Sequence, residues 1–436
     1  MAAPLESAEI IAVGSELLGI TRTDTNSLYI TARLREAGIA VRLKTVVGDV
    51  VDDITAAFAS ARTRSRLVIF TGGLGPTEDD LTREAVAAVL GRALHEDRRV
   101  RERLRARFAA RGLEMPAINR RQALVPEGAD VLPNPKGTAP GLWVEDEKGV
   151  VVLLPGPPFE LKPMFDGLVR DRLAARATGI RLITRIVRIA GRTESHVETA
   201  ARPAYDRWRG VRMPLDVTIL ASPGTIDLHL TVRAREAAGG EALLAEAVHD
   251  LQAIFEDDLY SDDGRSMEDV LGGLLRDAGR TIAIAESCTG GLLTSRLTDV
   301  PGSSAYVERG AVAYSNAAKI DWLGVEPALI ERHGAVSEPV ALAMASGIRR
   351  RTGAAFGVGV TGIAGPGGGT PEKPVGTVAI AVDGPWGPAA RTRRFLGVRE
   401  QVKWHAASAA MDDVRRMLLQ GSDRGQPQGS DRGQTP

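Results

Sequence analysis

Apolar positions along the chain fall into short, almost unbroken runs that alternate with stretches spaced for one helical face. Glu9 to Val13, Val41 to Val47 and Leu67 to Phe70 read as strands, with helices from Asn26 to Ala37, Asp53 to Ala61 and Leu81 to Leu90 between and after them. Gly38 and Gly91 close the first and third of these helices. A later run, Val150 to Leu154, ends in PGPP and leads into another helix. Repeated strand and helix units predict an α/β domain over residues 1–172, a doubly wound, mostly parallel sheet covered on both faces. Strands buried on both sides need no polar alternation, which explains the continuous runs.

From Leu182 the rhythm changes to strand (Ile183 to Ile189), helix (Glu194 to Trp208), two alternating strands (Asp216 to Leu220, Thr225 to Arg233) and helix (Glu241 to Phe255). Ser222, Pro223 and Gly224 suit the short turn of a hairpin. Residues 178–256 are thus expected to form a small α+β module. A polar, acidic link from Asp257 to Gly264 precedes a second α/β domain over 265–420. Beyond it GSDRGQ occurs twice, at 421–426 and 429–434. With no apolar residue to bury, the segment 421–436 is expected to be disordered.

Composition narrows the function classes. Lysine plus arginine equals aspartate plus glutamate at 55 each, so no net field favours a nucleic acid or a membrane surface. The helix around Arg98 to Arg111 carries seven arginines but only one aromatic residue, Phe108, which makes no interleaved series for base stacking, and reads as a solvated face. No apolar run is long enough for a bilayer, and the first twenty residues lack a basic start followed by an apolar core, so a soluble, cytoplasmic protein is expected. Cys288 is the single cysteine and reads as a small buried thiol, and the six histidines show no zinc spacing.

Candidate chemistry lies just past predicted strands. AESCTGG, Ala285 to Gly291, reads as a strand ending in a tight turn at a helix start; Ser287, Thr289, Gly290 and Gly291 stand where backbone N–H groups and the helix dipole favour an anion. Tyr314, Ser315, Asn316 and Lys319 follow in AYSNAAK, and a second glycine-rich turn, TGIAGPGGG, starts at Thr361 and Gly362. From its neighbours alone, Lys319 reads as a helix-surface lysine. In the first domain TGGLGPTEDD supplies Gly72, Gly73 and Gly75 for close approach to phosphate and Asp79 and Asp80 as oxygen ligands for a hard cation. Glu16, Asp24, Asn26 and Asp49 also stand at strand ends or helix starts; Asp79 and Asp80 could instead be helix caps or first-turn acids, and for Asp24 the two readings are equal.

AESCTGG, PGSSAYVERG, AYSNAAK, HGAVSEP and TGIAGPGGG, in that order, closely resemble the C-terminal domain of the competence/damage-inducible CinA family, a nicotinamide mononucleotide deamidase. GSELLGITRTDTN, VVGD, TGGLGPTEDD, NPKGTAPG (which contains Thr138) and PGPPFE resemble the family's N-terminal, molybdopterin-binding-like domain. The resemblance implies a serine–lysine pair for the amide chemistry, placed on Ser304 and Lys319, with Ser287 as alternative nucleophile or orienting hydroxyl and Tyr314 as proton relay or oxyanion donor. A lysine base must be neutral, which means lowering its pKa by about three units, roughly 4 kcal/mol against the charged form, and so implies a closed pocket. Nicotinamide mononucleotide would be held by Thr289, Gly290, Gly291, Asn316, Thr361 and Gly362, with Arg394 or Arg399 adding bonds to the phosphate. No metal is expected at that site. For the N-terminal domain the resemblance implies an ADP-ribose pyrophosphatase in which a divalent cation (Mg, Mn or Co) is held by Asp79, Asp80, Glu16 and Asp49, and Gly72, Gly73, Gly75, Asp24, Asn26 and Thr138 bind substrate.

In the same family the middle module resembles a KH-type unit, but GRTE at 191–194 lacks the second glycine of the RNA-clamping GxxG loop, so no nucleic-acid partner is expected. A homodimer acting on small nucleotides is implied. Two other readings stay open: a nucleotide-binding partner protein in competence or damage response, and a pterin adenylyltransferase in the N-terminal half.

Overall fold

The structure, a computed structural model, describes residues 4–177, 179–210 and 213–424, the last three by backbone alone. Two compact units emerge: one runs to Ile183 and includes Arg233–Glu241, the other comprises Thr184–Val232 and the described residues from Ala242 onward.

The first unit is an α/β sheet domain. Its strands and helices are β1 (Ser7–Val13), α1 (Asn26–Glu36), β2 (Ala40–Val47), α2 (Val51–Arg64), β3 (Leu67–Thr71), α3 (Thr82–Leu90), β4 (Leu94–Glu96), α4 (Arg98–Ala109), β5 (Leu124–Pro126), β6 (Asp130–Leu132), β7 (Gly141–Asp146), β8 (Gly149–Leu154) and α5 (Pro158–Leu168). The main sheet has the order β2-β1-β3-β8-β7-β6; the first four strands are parallel, while β7 and β6 add antiparallel pairs. Its two apolar layers form separate cores, one built on Ile10, Ile69 and Val152, the other on Ile11, Phe70 and Leu153. Alternate side chains of one strand point to opposite faces, so a strand that feeds both layers must be apolar throughout. Gly91 takes the left-handed conformation at the end of α3, with φ 62°, as its position in the sequence predicts.

The second unit holds two sheets, apart from residues 181–183 and 233–241, which cluster with the first. β9 (Arg181–Ala190), α6 (Glu194–Arg209), β10 (Leu215–Ser222), β11 (Thr225–Ala234), α7 (Ala237–Phe255) and β12 (Leu259–Ser261) build the middle module, with strand order β10-β11-β9-β12. The acidic link is therefore not an open connection: its Leu259 and Ser261 pair with β9. Next come α8 (Met267–Asp277), β13 (Ile282–Glu286), α9 (Leu292–Thr298), β14 (Val307–Val312), α10 (Asn316–Leu323), α11 (Pro327–His333), α12 (Glu338–Thr352), β15 (Phe356–Gly362), β16 (Thr377–Gly384), β17 (Gly387–Arg394) and α13 (Arg399–Arg424). Their sheet runs β14-β13-β15-β16-β17, parallel across the first three strands and antiparallel beyond. The expectation of disorder from residue 421 is corrected by α13, which continues through Arg424; residues 425–436 lie outside the described ones. A Cβ on Gly421 would fall 2.1 Å from the Trp386 ring, so this glycine lets the helix pack where a side chain would not fit. Among the described residues no helix is long and apolar enough to cross a membrane.

Candidate active sites

In the second unit, the C-terminal ends of parallel β13, β14 and β15 lie side by side, Glu286 pairing with both Val312 and Val360. Ser287 follows β13, and its N–H donates to the Val360 carbonyl (2.9 Å), which fixes the backbone at the mouth. Lys319 sits in the second turn of α10, a helix capped by the Ser315 hydroxyl on Ala318 N–H (3.0 Å). Contrary to the reading from its neighbours, Lys319 is buried, 2% exposed. Its Nζ lies 3.0 Å from Ser287 Oγ, 3.1 Å from the Ala313 carbonyl and 3.3 Å from the Tyr314 carbonyl. Burial pushes the amine's pKa below the ordinary lysine value. A neutral amine has two N–H groups and one lone pair, so with both hydrogens on the carbonyls its lone pair faces the serine hydroxyl.

Ser304 belongs elsewhere. It is exposed on a single 3-10 turn, Ser303–Ala305, that enters β14 at its N-terminal end, while Lys319 follows the C-terminal end. A strand of six residues separates the two, roughly 20 Å. The pairing of Lys319 with Ser304 is thus corrected to Lys319 with Ser287.

The anion cradle at Gly290 and Gly291 is also corrected. Both glycines have positive φ (62° and 92°), as the tight turn demands, but the donors are spent. The fully buried Glu286 carboxylate accepts from the N–H groups of Gly291 (3.0 Å), Leu293 (3.1 Å) and Thr294 (2.8 Å), and from the Thr294 hydroxyl (2.7 Å). Gly290 N–H donates to the Ser287 carbonyl. Glu286 was not anticipated; its place at the strand end, five to eight residues before those donors, is the signal. Thr289 is fully buried, and its hydroxyl has no hydrogen-bond partner among the described residues. Thr361 is buried with its hydroxyl on the Ala335 carbonyl (2.9 Å), and a Cβ on Gly362 would meet Cys288 Sγ at 3.0 Å. Asn316 is exposed at the start of α10. Of the two arginines, Arg399 reaches the site: it donates to the Tyr314 hydroxyl (2.9 Å) and the Gly365 carbonyl (2.6 Å). Arg394 lines a different cavity, beside Phe395 and His405. Cys288 is buried, which raises its thiol pKa to about 12.

In the first unit a cavity of about 650 Å³ opens beyond the C-terminal ends of β1, β3 and β8, where an open parallel sheet binds ligands. Glu16, Asp24, Asn26, Asp49, Gly72, Gly73, Gly75, Asp79, Asp80 and Thr138 all line it. A Cβ on Gly72 would lie 2.1 Å from the Val13 carbonyl and one on Gly73 2.1 Å from Thr82 Oγ1, so the loop hugs the sheet only with glycine. Asn26 serves the scaffold, its amide donating to Thr71 Oγ1 (2.8 Å) and the Gly156 carbonyl (2.7 Å). Asp24 caps Ser27 N–H (2.9 Å). Sequence reasoning missed Arg83, buried beneath the loop with its guanidinium on the Leu74 (2.7 Å) and Gly75 (3.1 Å) carbonyls. It also missed Gln122, which donates to Thr138 Oγ1 (3.1 Å), and Glu160, which accepts from Asn134 (2.6 Å).

The four carboxylates expected to hold a cation do not form a cage. Asp80 accepts from Gly75 N–H (2.7 Å), Thr77 N–H (2.9 Å) and the Thr77 hydroxyl, and Asp49 from Ser15 N–H (2.7 Å). Among the described residues no three His, Cys, Asp or Glu gather as a metal site. The cavity is nonetheless acidic, with Glu16, Asp24, Asp49, Asp79, Asp80 and Glu160 against Arg22. A pyrophosphate would be repelled from it unless cations came along.

Comparison with known proteins agrees with both halves. Residues 264–418 match the CinA C-terminal domain, and residues 9–175 match the family described as "Probable molybdopterin binding domain". A CinA-like protein of Koribacter versatilis is 45% identical over 416 residues, covering 94% of this chain and all of its own; one from Solibacter usitatus is 44% identical over 411 residues, covering 94% and 98%. Among solved structures, a competence/damage inducible protein of Agrobacterium tumefaciens is 40% identical over 35% of this chain and 93% of its own, with a TM-score of 0.34. With near-complete coverage at this identity, and with the two domain matches in the same order, the chain belongs to the CinA family.

Proposed function

We propose that the second unit hydrolyses the carboxamide of nicotinamide mononucleotide to nicotinate mononucleotide and ammonia, with Ser287 as nucleophile and Lys319 as base. The buried amine set 3.0 Å from a serine hydroxyl carries this reading. Ser287 Oγ would attack the amide carbon while its proton passes to Lys319 Nζ. The C–N bond then breaks, and the lysine returns that proton to the departing nitrogen, which leaves as ammonia. Water, deprotonated by the same amine, would open the acyl ester to the carboxylate. Tyr314 is 60% exposed and accepts from Arg399, so its own O–H is free to donate to the developing oxyanion. Full-length protein incubated with nicotinamide mononucleotide should release one ammonia per nicotinate mononucleotide, and Lys319→Ala should not. Equal release by that variant would end the proposal.

For the first unit we propose ADP-ribose pyrophosphatase activity, supported by the glycine loop and the acidic cavity beyond the strand ends. A divalent cation belongs to this reading as a partner of the ligand's phosphates, which it would neutralise and polarise, with the cavity's carboxylates close by. Glycines bring the backbone against the pyrophosphate, and Arg83 holds that loop from beneath. The molybdopterin-domain match favours one competing assignment, pterin adenylyl transfer. Incubation with molybdopterin and ATP, beside ADP-ribose, separates the two by product. A homodimer in the cytoplasm is proposed for the whole chain, with sedimentation as its test.

A further inference from the structure

Within the second unit, a cavity of about 950 Å³ lies between the middle module and the outer side of the C-terminal sheet. One wall comes from the GRTE loop after β9 and the β10–β11 turn, the other from the end of β17 and from α13. The walls meet at the hairpin, where a Cβ on Gly224 would touch Ser408 Cβ at 2.7 Å. Asp258 ties them further, accepting from Arg416 of α13 (2.6 Å) and from Arg192 of the loop. This is a formed cleft with fixed sides, and the reaction sites described above use none of it.

Its chemistry is cationic and flat. Arg192, Arg391, Arg393, Arg394 and Arg416 line it. The carboxylates set against them are Asp258, Asp412 and Asp413, and they do not satisfy every guanidinium. Asp413 binds Arg393 at 2.7 Å, leaving Arg391 at 3.7 Å from the same oxygen, and Arg394 has no ion-pair partner among the described residues. Planar guanidinium forks facing an open cavity suit phosphate oxygens. Beside them Phe395 and His405 stack at 5.7 Å and 17°, an unsaturated wall of the kind a base lies against. Leu396, 76% exposed, extends the apolar side.

We propose that this cleft is a binding site for a nucleoside di- or triphosphate, separate from both reaction sites, its phosphates held by Arg391 and Arg394 and its base against Phe395 and His405. Two observations favour a small ligand over an RNA strand. The three carboxylates interrupt the positive surface that a continuous backbone would track. The cationic groups also come from opposing walls across a cavity of ligand size.

Calorimetric titration of the full-length protein with ADP, in chelator, tests this. Arg391→Ala with Arg394→Ala should weaken one class of ADP site at least tenfold, and the double Lys variant should recover part of it. Phe395→Ala should weaken ADP but leave inorganic triphosphate unchanged, which a general loss of structure would not do. Superimposable ADP isotherms for wild type and the double Ala variant would overturn the proposal. So would a single-stranded RNA that binds through these arginines and is not displaced by ADP.

Discussion

Whether one lysine side chain is charged decides the proposed amide chemistry. Lys319 carries two backbone carbonyls and a serine hydroxyl on its nitrogen, in a place where burial outweighs their pull toward the ammonium form. Its pKa is lower folded than unfolded, so the unfolded chain binds the extra proton in the window between the two values. Stability from this residue therefore rises with pH across that window and falls as acid protonates the buried amine. The same sign governs rate: kcat/KM for nicotinamide mononucleotide should rise with pH through the lowered lysine pKa and then level off. Lys319→Met should remove that limb with the activity, about 10²–10⁴-fold, yet unfold at no lower denaturant concentration near neutral pH, because no amine is left to desolvate. A melt shifted strongly downward would mean the lysine is a structural tie. Cys288, with its thiol raised to about 12, should be unreactive: iodoacetamide should leave ammonia release unchanged at pH 7.

At the level of elements, strand ends and the turns after them organise both units. α9 is capped from inside by Glu286, whose buried carboxylate takes four donors. Glu286→Gln should lower unfolding free energy by about 1–3 kcal/mol, measured in urea, since an amide cannot accept in place of both oxygens. Much of this architecture was legible in the sequence. Continuous apolar runs gave β1, β3, β8 and β13, and Gly38 and Gly91 marked helix ends at positive φ. Strand β12 was not, because three residues in an acidic stretch carry no period, and its pairing with β9 is non-local. The antiparallel β6 and β7 were missed for a similar reason: edge pairing depends on which strand lies alongside. The Ser304 assignment failed at this scale too. Proximity in sequence to a functional motif says nothing about which end of a strand a residue occupies, and the register of β13 with β14 settles it.

Across the whole molecule, the two proposed chemistries sit at equivalent places. In both units the chain makes a first strand, adds its neighbour on one side, then returns to pair on the other, giving β2-β1-β3 and β14-β13-β15. The crevice at the carboxyl ends of such a reversal is where α/β sheets bind ligands. What differs is the lining: carboxylates around a glycine loop in one, a buried amine and hydroxyl in the other. A chelator should therefore separate the proposed activities of the full chain, stopping ADP-ribose turnover while ammonia release continues; loss of both would contradict the division of labour. The central claim rests on which serine faces the amine, and ammonia release from nicotinamide mononucleotide by full-length Ser287→Ala and Ser304→Ala, side by side, tests it most directly. The account predicts that Ser287→Ala loses at least a hundredfold in kcat while Ser304→Ala stays within about twofold of wild type; the reverse ranking would contradict it.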